Sequence, residues 1–175
     1  MQVKSTRFGI LEVPDDKVLS FPDGLLGFEQ FHRYVILEHD PGTPFKWLQC
    51  LDDADVAFVI INPAEFAPEY VIELGRDDVV KLGLKDVGEA AVYVLVVIPE
   101  DPSAMTANLQ GPLVLNADLR VGRQVVLPDG RYRTRQPILE ALRATRAKAE
   151  GDRKTGTKGC APPNRRSVPG VAVAR

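Results

Sequence analysis

Apolar positions fall in short runs, each closed by proline, glycine or aspartate. The longest is Val92 to Ile98, seven apolar residues in succession and mostly β-branched, followed at once by Pro99-Glu100-Asp101-Pro102. A run of this length and kind between breakers predicts a central strand covered on both faces, and the prolines, which cannot donate to a ladder, set its limit. Gly111-Pro112 opens a second apolar run, Leu113 to Leu115. The polar connector between the two, with Met105, Thr106 and Asn108, is thereby predicted at a sheet edge or mouth, a usual place for recognition.

The rest of the chain repeats this pattern on a smaller scale. Gln2 to Val13 alternates around Gly9 and predicts a hairpin. Val18–Phe21, Tyr34–Leu37, residues 57–62 (AFVIIN) and Tyr70–Leu74 predict strands, separated by turns such as Pro22-Asp23-Gly24 and Asp40-Pro41-Gly42. From Phe45 the residues alternate, with Phe45, Trp47, Gln49 and Leu51 on one face and Lys46, Leu48 and Cys50 on the other. Gln124–Leu127 predicts a strand that Pro128-Asp129-Gly130 turns into another at Arg131–Arg135. One short helix is predicted over Asp77–Leu82, with two acids in its first turn and Gly83 at its end. Many short strands with little helix predict a mainly β fold, an antiparallel barrel or sandwich, and a small barrel-like domain over 1–136 is preferred. Residues 137–150 carry Ile138, Leu139 and Leu142 at helical spacing among good helix formers, and predict a helix. Residues 151–175 are rich in Gly, Pro and charge and are expected to be a disordered basic tail.

Charge divides the chain in the same place. Residues 1–130 hold 10 Lys and Arg against 21 Asp and Glu, a balance of −11, whereas residues 131–175 hold 12 against 3, a balance of +9. An acidic body repels nucleic acid and favours basic partners; a basic tail does the reverse. Cys50 and Cys160 stand far apart and form no framework, the N-terminus has no apolar leader region, and no run reaches the length of a membrane span. A cytoplasmic protein, away from the membrane, is expected.

Enzyme chemistry finds little support. His32 and His39 lack the neighbours of a metal site and fit surface or turn roles. GDRKTGTK at 151–158 fails as a phosphate-binding loop because Thr157 separates the second glycine from the lysine. Glu100 and Asp101 are adjacent carboxylates with no His, Lys or Tyr placed beside them, so an acidic loop open to solvent or to a basic partner is the better reading. Trp47 fits a core position or an interface anchor. Basic and aromatic residues do not interleave on any predicted strand, which disfavours a single-strand-binding platform. No cofactor or metal is expected, and the chain is read as a non-enzyme.

Four segments resemble a known family: FPDGLLGFE (Phe21–Glu29), PFKWLQCLDDADVAFVIINP (Pro44–Pro63), IPEDPSAMTANLQGPLVLN (Ile98–Asn116) and GRQVVL (Gly122–Leu127). With their spacing they cover essentially residues 1–135, and the sequence resembles the FliW family of bacterial flagellar assembly factors. The resemblance implies a monomeric β-barrel-like protein that works by binding. Its implied partners are the RNA-binding translational repressor CsrA, which it antagonises, and flagellin, so that flagellin synthesis is coupled to export. The expected contacts are the loop from Glu100 to Pro112 (Glu100, Asp101, Met105, Thr106, Asn108, Pro112) and the strand bearing Phe45, Trp47 and Gln49. The other reading of the same residues is that they hold the barrel together. Chains of that family usually end soon after the segment corresponding to Tyr132–Pro137, so the resemblance implies nothing for the basic tail, and a nucleic-acid-binding barrel that uses this tail is the alternative function.

Overall fold

The computed structural model describes residues 1–38, 40–128, 130–155 and 170–173. Its strands are β1 (Gln2–Ser5), β2 (Gly9–Glu12), β3 (Leu19–Ser20), β4 (Arg33–Leu37), β5 (Phe45–Cys50), β6 (Ala57–Ile61), β7 (Val71–Leu74), β8 (Ala90–Val97), β9 (Thr106–Ala107), β10 (Leu113–Asn116), β11 (Val121–Gln124), β12 (Gln136–Pro137) and β13 (Gly170–Val173). Two α-helices accompany them, α1 (Arg76–Leu82) and α2 (Leu139–Thr155).

Strand β8 organises the sheet, as the length of its apolar run predicts. One edge pairs with β6, with Val59 opposite Val96 and Ile61 opposite Val94. On the other edge Val96 pairs with Ala107 of β9, and further along Tyr93 pairs with Leu113 of β10. The order β10-β11-β3-β4-β5-β6-β8 therefore closes on itself through the β8–β10 pairing, leaving β9 and β12 as an appendage. Closure removes the free edges that an open sheet would have to protect. All pairings in the ring are antiparallel except β3–β11.

The alternation of β8 serves two cores. Ala91, Tyr93 and Leu95 face the barrel interior, filled by Phe21, Tyr34, Leu48, Cys50, Ile60, Leu113 and Leu115. Val92, Val94 and Val96 face outward into a second cluster, where β7 brings Ile72 and Leu74, α1 brings Leu82 and the start of α2 brings Leu142. The hairpin β1–β2 covers the outer face of β4 through Val3 and Leu11 against Val35. Gly122 sits at a close approach inside the barrel: a Cβ there would lie 2.4 Å from Phe21 Cζ and 2.5 Å from Leu115 Cδ2. Helix α1 ends at Gly83, whose φ of +62° suits glycine, and Asn116 Nδ2 donates to the carbonyls of Leu82 and Gly83 at 3.0 and 3.2 Å.

Three expectations need correction. The strand expected at Gln124–Leu127 lies earlier, at Val121–Gln124. Beyond it Val125 N and Leu127 N donate to Pro112 O and Gln110 O, but Pro112 has no N–H to return and the regular ladder stops. Arg131–Arg135 forms no strand. The alternation there reflects one anchor, Tyr132, whose ring packs 4.6 Å from Tyr70 and whose hydroxyl meets both Val71 N and Val71 O. Lastly, the expected disorder of 151–175 gives way at both ends. Helix α2 continues to Thr155, since Asp152 to Thr155 contains no breaker, and Gly170–Val173 forms β13 in parallel with β7. His39, Cys160 and the remainder of that tail lie outside the described residues. Among the described residues no helix is long and apolar enough to cross a membrane.

Candidate functional site

Strand direction decides where the four distinctive segments go. Tyr34, near the start of β4, pairs with Cys50, at the end of β5; Ala57, the first residue of β6, pairs with Gln49; and β6 runs antiparallel to β8, with Val59 opposite Val96 near the end of β8. Leu113, the first residue of β10, pairs with Gln124, the last of β11. The connections at 21–32, 51–56, 98–105 and 108–112 and the segment after Gln124 therefore all emerge at one end of the barrel.

Direct contacts tie these pieces together. Leu26 N donates to Gln124 Oε1 at 2.9 Å, and Gln124 Nε2 donates to Gly111 O at 3.2 Å. Asn108 Oδ1 accepts from Gln110 N at 3.1 Å and Gly111 N at 3.0 Å, which shapes the loop that Gln124 reads. In the Phe21–Glu29 segment Gly24 has a φ of +67°, and a Cβ there would lie 2.6 Å from the Glu29 Cα. The Glu29 carboxylate accepts from Gly27 N at 2.9 Å; that N–H, and then its own, hold the Glu29 carboxyl below the usual carboxylate range. Asp52 anchors the same loop from the neighbouring turn, accepting from His32 N, Arg33 N and Arg33 Nε at 2.8, 2.9 and 2.7 Å. Burial pushes the Asp52 carboxyl up, but these donors outweigh it and leave its pKa lowered.

A loop held this firmly nonetheless leaves apolar side chains in water. Leu25 is buried, while Leu26 is 59% exposed and Val126 is 61% exposed. They flank an open cleft of about 360 Å³ that Asp23, Glu29, Asp78 and Arg123 also line. Arg123 pairs with Asp23 and, at 2.8 Å, with Asp78. Half-buried Phe28, Phe31 and Phe58 stack beside one another, Phe28 meeting Phe58 edge-on at 5.0 Å. On the adjoining projection Val97 is 63% exposed, Ile98 is 46% exposed, and Glu100 and Asp101 are exposed beyond them. Asp101 caps a single 3-10 turn, accepting from Ser103 Oγ and Ser103 N, and these two bonds lower its pKa. The barrel end is thus a set of exposed aliphatic and half-exposed aromatic groups among carboxylates. Such a surface has the make-up of a protein-contact patch.

The expected contact residues divide sharply. Glu100 and Asp101 stand exposed at this end, and Thr106 and Asn108 are half-buried beside it. Gln49, Met105 and Pro112 are buried. Met105 belongs to the outer core, against which Phe45 also packs. Trp47 is covered by Phe8, edge-on at 5.4 Å, and by the Arg7 guanidinium 4.5 Å from its ring centroid. Gln49 is locked by Ser5 Oγ, which donates to its Oε1 at 2.8 Å, while its Nε2 donates to Cys50 O at 2.9 Å and Val56 O at 3.0 Å. Alternation along β5 identified a face correctly, but the β1–β2 hairpin occupies much of it. Leu26, Val126 and the Phe28–Phe31–Phe58 group were not among the expected contacts, although Leu26 is an apolar residue set in a glycine turn. His32 is exposed, with Nδ1 3.2 Å from Phe21 O, a turn role as expected.

Comparison with known proteins agrees with this fold. The model of the family described as FliW protein matches residues 2–138. The flagellar assembly factor FliW of Thermoanaerobacter pseudethanolicus is 40% identical over 144 residues, covering 82% of this chain and 96% of that protein. That of Natranaerobius thermophilus is 41% identical over 139 residues, 79% of this chain and 92% of that protein. That of Leptospira interrogans serogroup Icterohaemorrhagiae serovar Lai is 36% identical over 142 residues, 81% and 95% respectively. A crystal structure of the flagellar assembly factor FliW superposes with a TM-score of 0.73 at 29% identity, covering 78% of this chain and 96% of that one. From its barrel to its motif-bearing loops, the chain belongs to the FliW family.

Proposed function

We propose that this chain is a flagellar assembly factor that acts by binding rather than catalysis. It captures the RNA-binding repressor CsrA and, in competition or in sequence, flagellin, and so links flagellin synthesis to export. One observation carries the reading: segments scattered from Phe21 to Leu127 meet at a single barrel end, where rigid loops display Leu26, Val126, Val97 and Ile98 among carboxylates. Apolar groups held exposed by a fixed backbone supply contact area at little ordering cost. The surrounding acids favour a partner whose own surface is basic, as an RNA-binding protein's must be, and disfavour RNA itself.

Calorimetric titration of the full chain with CsrA, and separately with flagellin, tests the proposal at moderate salt. Submicromolar binding to at least one is expected. The double variant Leu26→Ser/Val126→Ser, both side chains already in water, should weaken that binding about tenfold or more with an unchanged Tm, as loss of a contact worth about 1.4 kcal/mol requires. Absence of heat with either partner from the folded chain overturns the proposal. Full binding by the double variant would move the contact surface elsewhere.

A further inference from the structure

Strand β7 stands outside the barrel ring and is held from the inside and from one edge. Ile72 and Leu74 are buried in the outer core, and the Tyr132 hydroxyl both donates to Val71 O at 2.8 Å and accepts from Val71 N at 3.1 Å. Arg131 adds a 2.8 Å ion pair to Glu73. Among the described residues its second edge is taken by β13, in parallel register, with Gly170 opposite Val71, Val171 opposite Ile72, Ala172 opposite Glu73 and Val173 opposite Leu74. The family match ends at residue 138. The acceptor edge therefore lies within the family-matched body, whereas the strand that covers it lies beyond the match.

An edge with unpaired N–H and C=O groups is a template for any extended segment, and its side-chain neighbours select which one. The occupant seen here is Gly-Val-Ala-Val, uncharged, with a β-branched residue at every second position. We propose that the outer edge of β7 is a strand-docking site for an extended, uncharged, valine-type segment of a partner protein, and that Gly170–Val173 holds it closed in cis. A tethered strand competes at an effective concentration on the order of millimolar, so a partner segment must displace it to bind. This inference rests on the β7–β13 pairing and not on the proposed function, so its failure would leave that function untouched.

The test uses the full chain and the variant Ala172→Pro/Val173→Pro. Proline at two successive residues removes whichever amide faces β7, and neither position is in the barrel. Hydrogen exchange of the Ile72 and Leu74 amides, which alternate with the Tyr132-bound Val71 amide and so face β13, is measured in both proteins. A fluorescein-labelled peptide of residues 167–175, SVPGVAVAR, is then titrated against both by anisotropy. Exchange of these amides about tenfold faster in the variant is expected, together with peptide binding about tenfold tighter than to the parent. Identical exchange in the two proteins overturns the closure in cis. Faster exchange without peptide binding to the variant overturns the docking site, and equal peptide binding to both overturns the competition.

Discussion

Replacing Gln49 by leucine separates a structural polar residue from a contact residue. The side chains are nearly the same size, so the change removes hydrogen bonds without opening a cavity. Gln49 is fully buried and makes three bonds of 3.0 Å or less: one accepted from Ser5 Oγ and two donated, to Cys50 O and Val56 O. Val56 O keeps Cys50 N as a partner, but the Ser5 hydroxyl loses its acceptor and Cys50 O loses a donor. At about 1 kcal/mol net for each bond, offset by about 1 kcal/mol from the more apolar side chain, the variant should be about 2 kcal/mol less stable. For a chain of this size that corresponds to a fall in Tm of about 4–8 °C. Urea unfolding should show the loss as a lower midpoint with an unchanged slope. Binding of partner to the protein folded at low temperature should be unaffected. A stability change under about 0.5 kcal/mol would refute the reasoning. So would weakened partner binding at full stability, which would return Gln49 to the list of contacts.

Gly122→Ala should be destabilising by about 1–3 kcal/mol, because the new methyl must displace Phe21 or Leu115 in a filled barrel; a midpoint equal to the parent's in urea would show that the barrel has slack. Gly24→Ala meets both an unfavourable φ and the Glu29 backbone. It should disturb the Phe21–Glu29 loop and lower partner affinity, seen by calorimetry, more than it lowers Tm; unchanged affinity would detach this loop from binding. Asp52 has a folded pKa below its ordinary value, so its contribution to stability is present above the usual carboxylate range and is lost as pH falls through the folded pKa. Asp52→Asn should therefore be less stable than the parent at pH 7 and approach it towards pH 3 in thermal melts, and a constant difference across that range would contradict the assignment.

Where a residue's two neighbours in sequence also fixed its two faces, the sequence was readable. Val92 to Val96 is apolar throughout because each side meets a core, and Phe45 to Cys50 alternates because the barrel interior differs from its outside. Turn chemistry placed the end of α1 at Gly83 for a reason the φ of +62° bears out. Failures came where partners are distant. Nothing local distinguishes Gln49 as a clamp; its acceptor role depends on Ser5, 44 residues away. The Tyr132 anchor mimics strand alternation because its hydroxyl takes the place of a backbone neighbour for Val71. Val171 and Val173 looked too few to order a polar tail, and alone they are; the edge of β7 supplies the pairing that composition cannot reveal.

The exposed leucine is the point on which fold and function divide. Gly24, Gln124, Glu29 and Asp52 together over-determine a loop whose apolar tip, Leu26, contributes nothing to the core. Stability alone gives no reason to spend four restraints on orienting a solvent-exposed side chain. Binding does, because a loop already ordered loses little entropy on association. The acids around it act at longer range, within a Debye length of about 8 Å at physiological salt, and so bear mainly on how fast a basic partner arrives. The aliphatic groups act only on contact and bear mainly on how slowly it leaves. Raising salt should therefore slow association at this end far more than it speeds dissociation, whereas loss of Leu26 and Val126 should do the opposite.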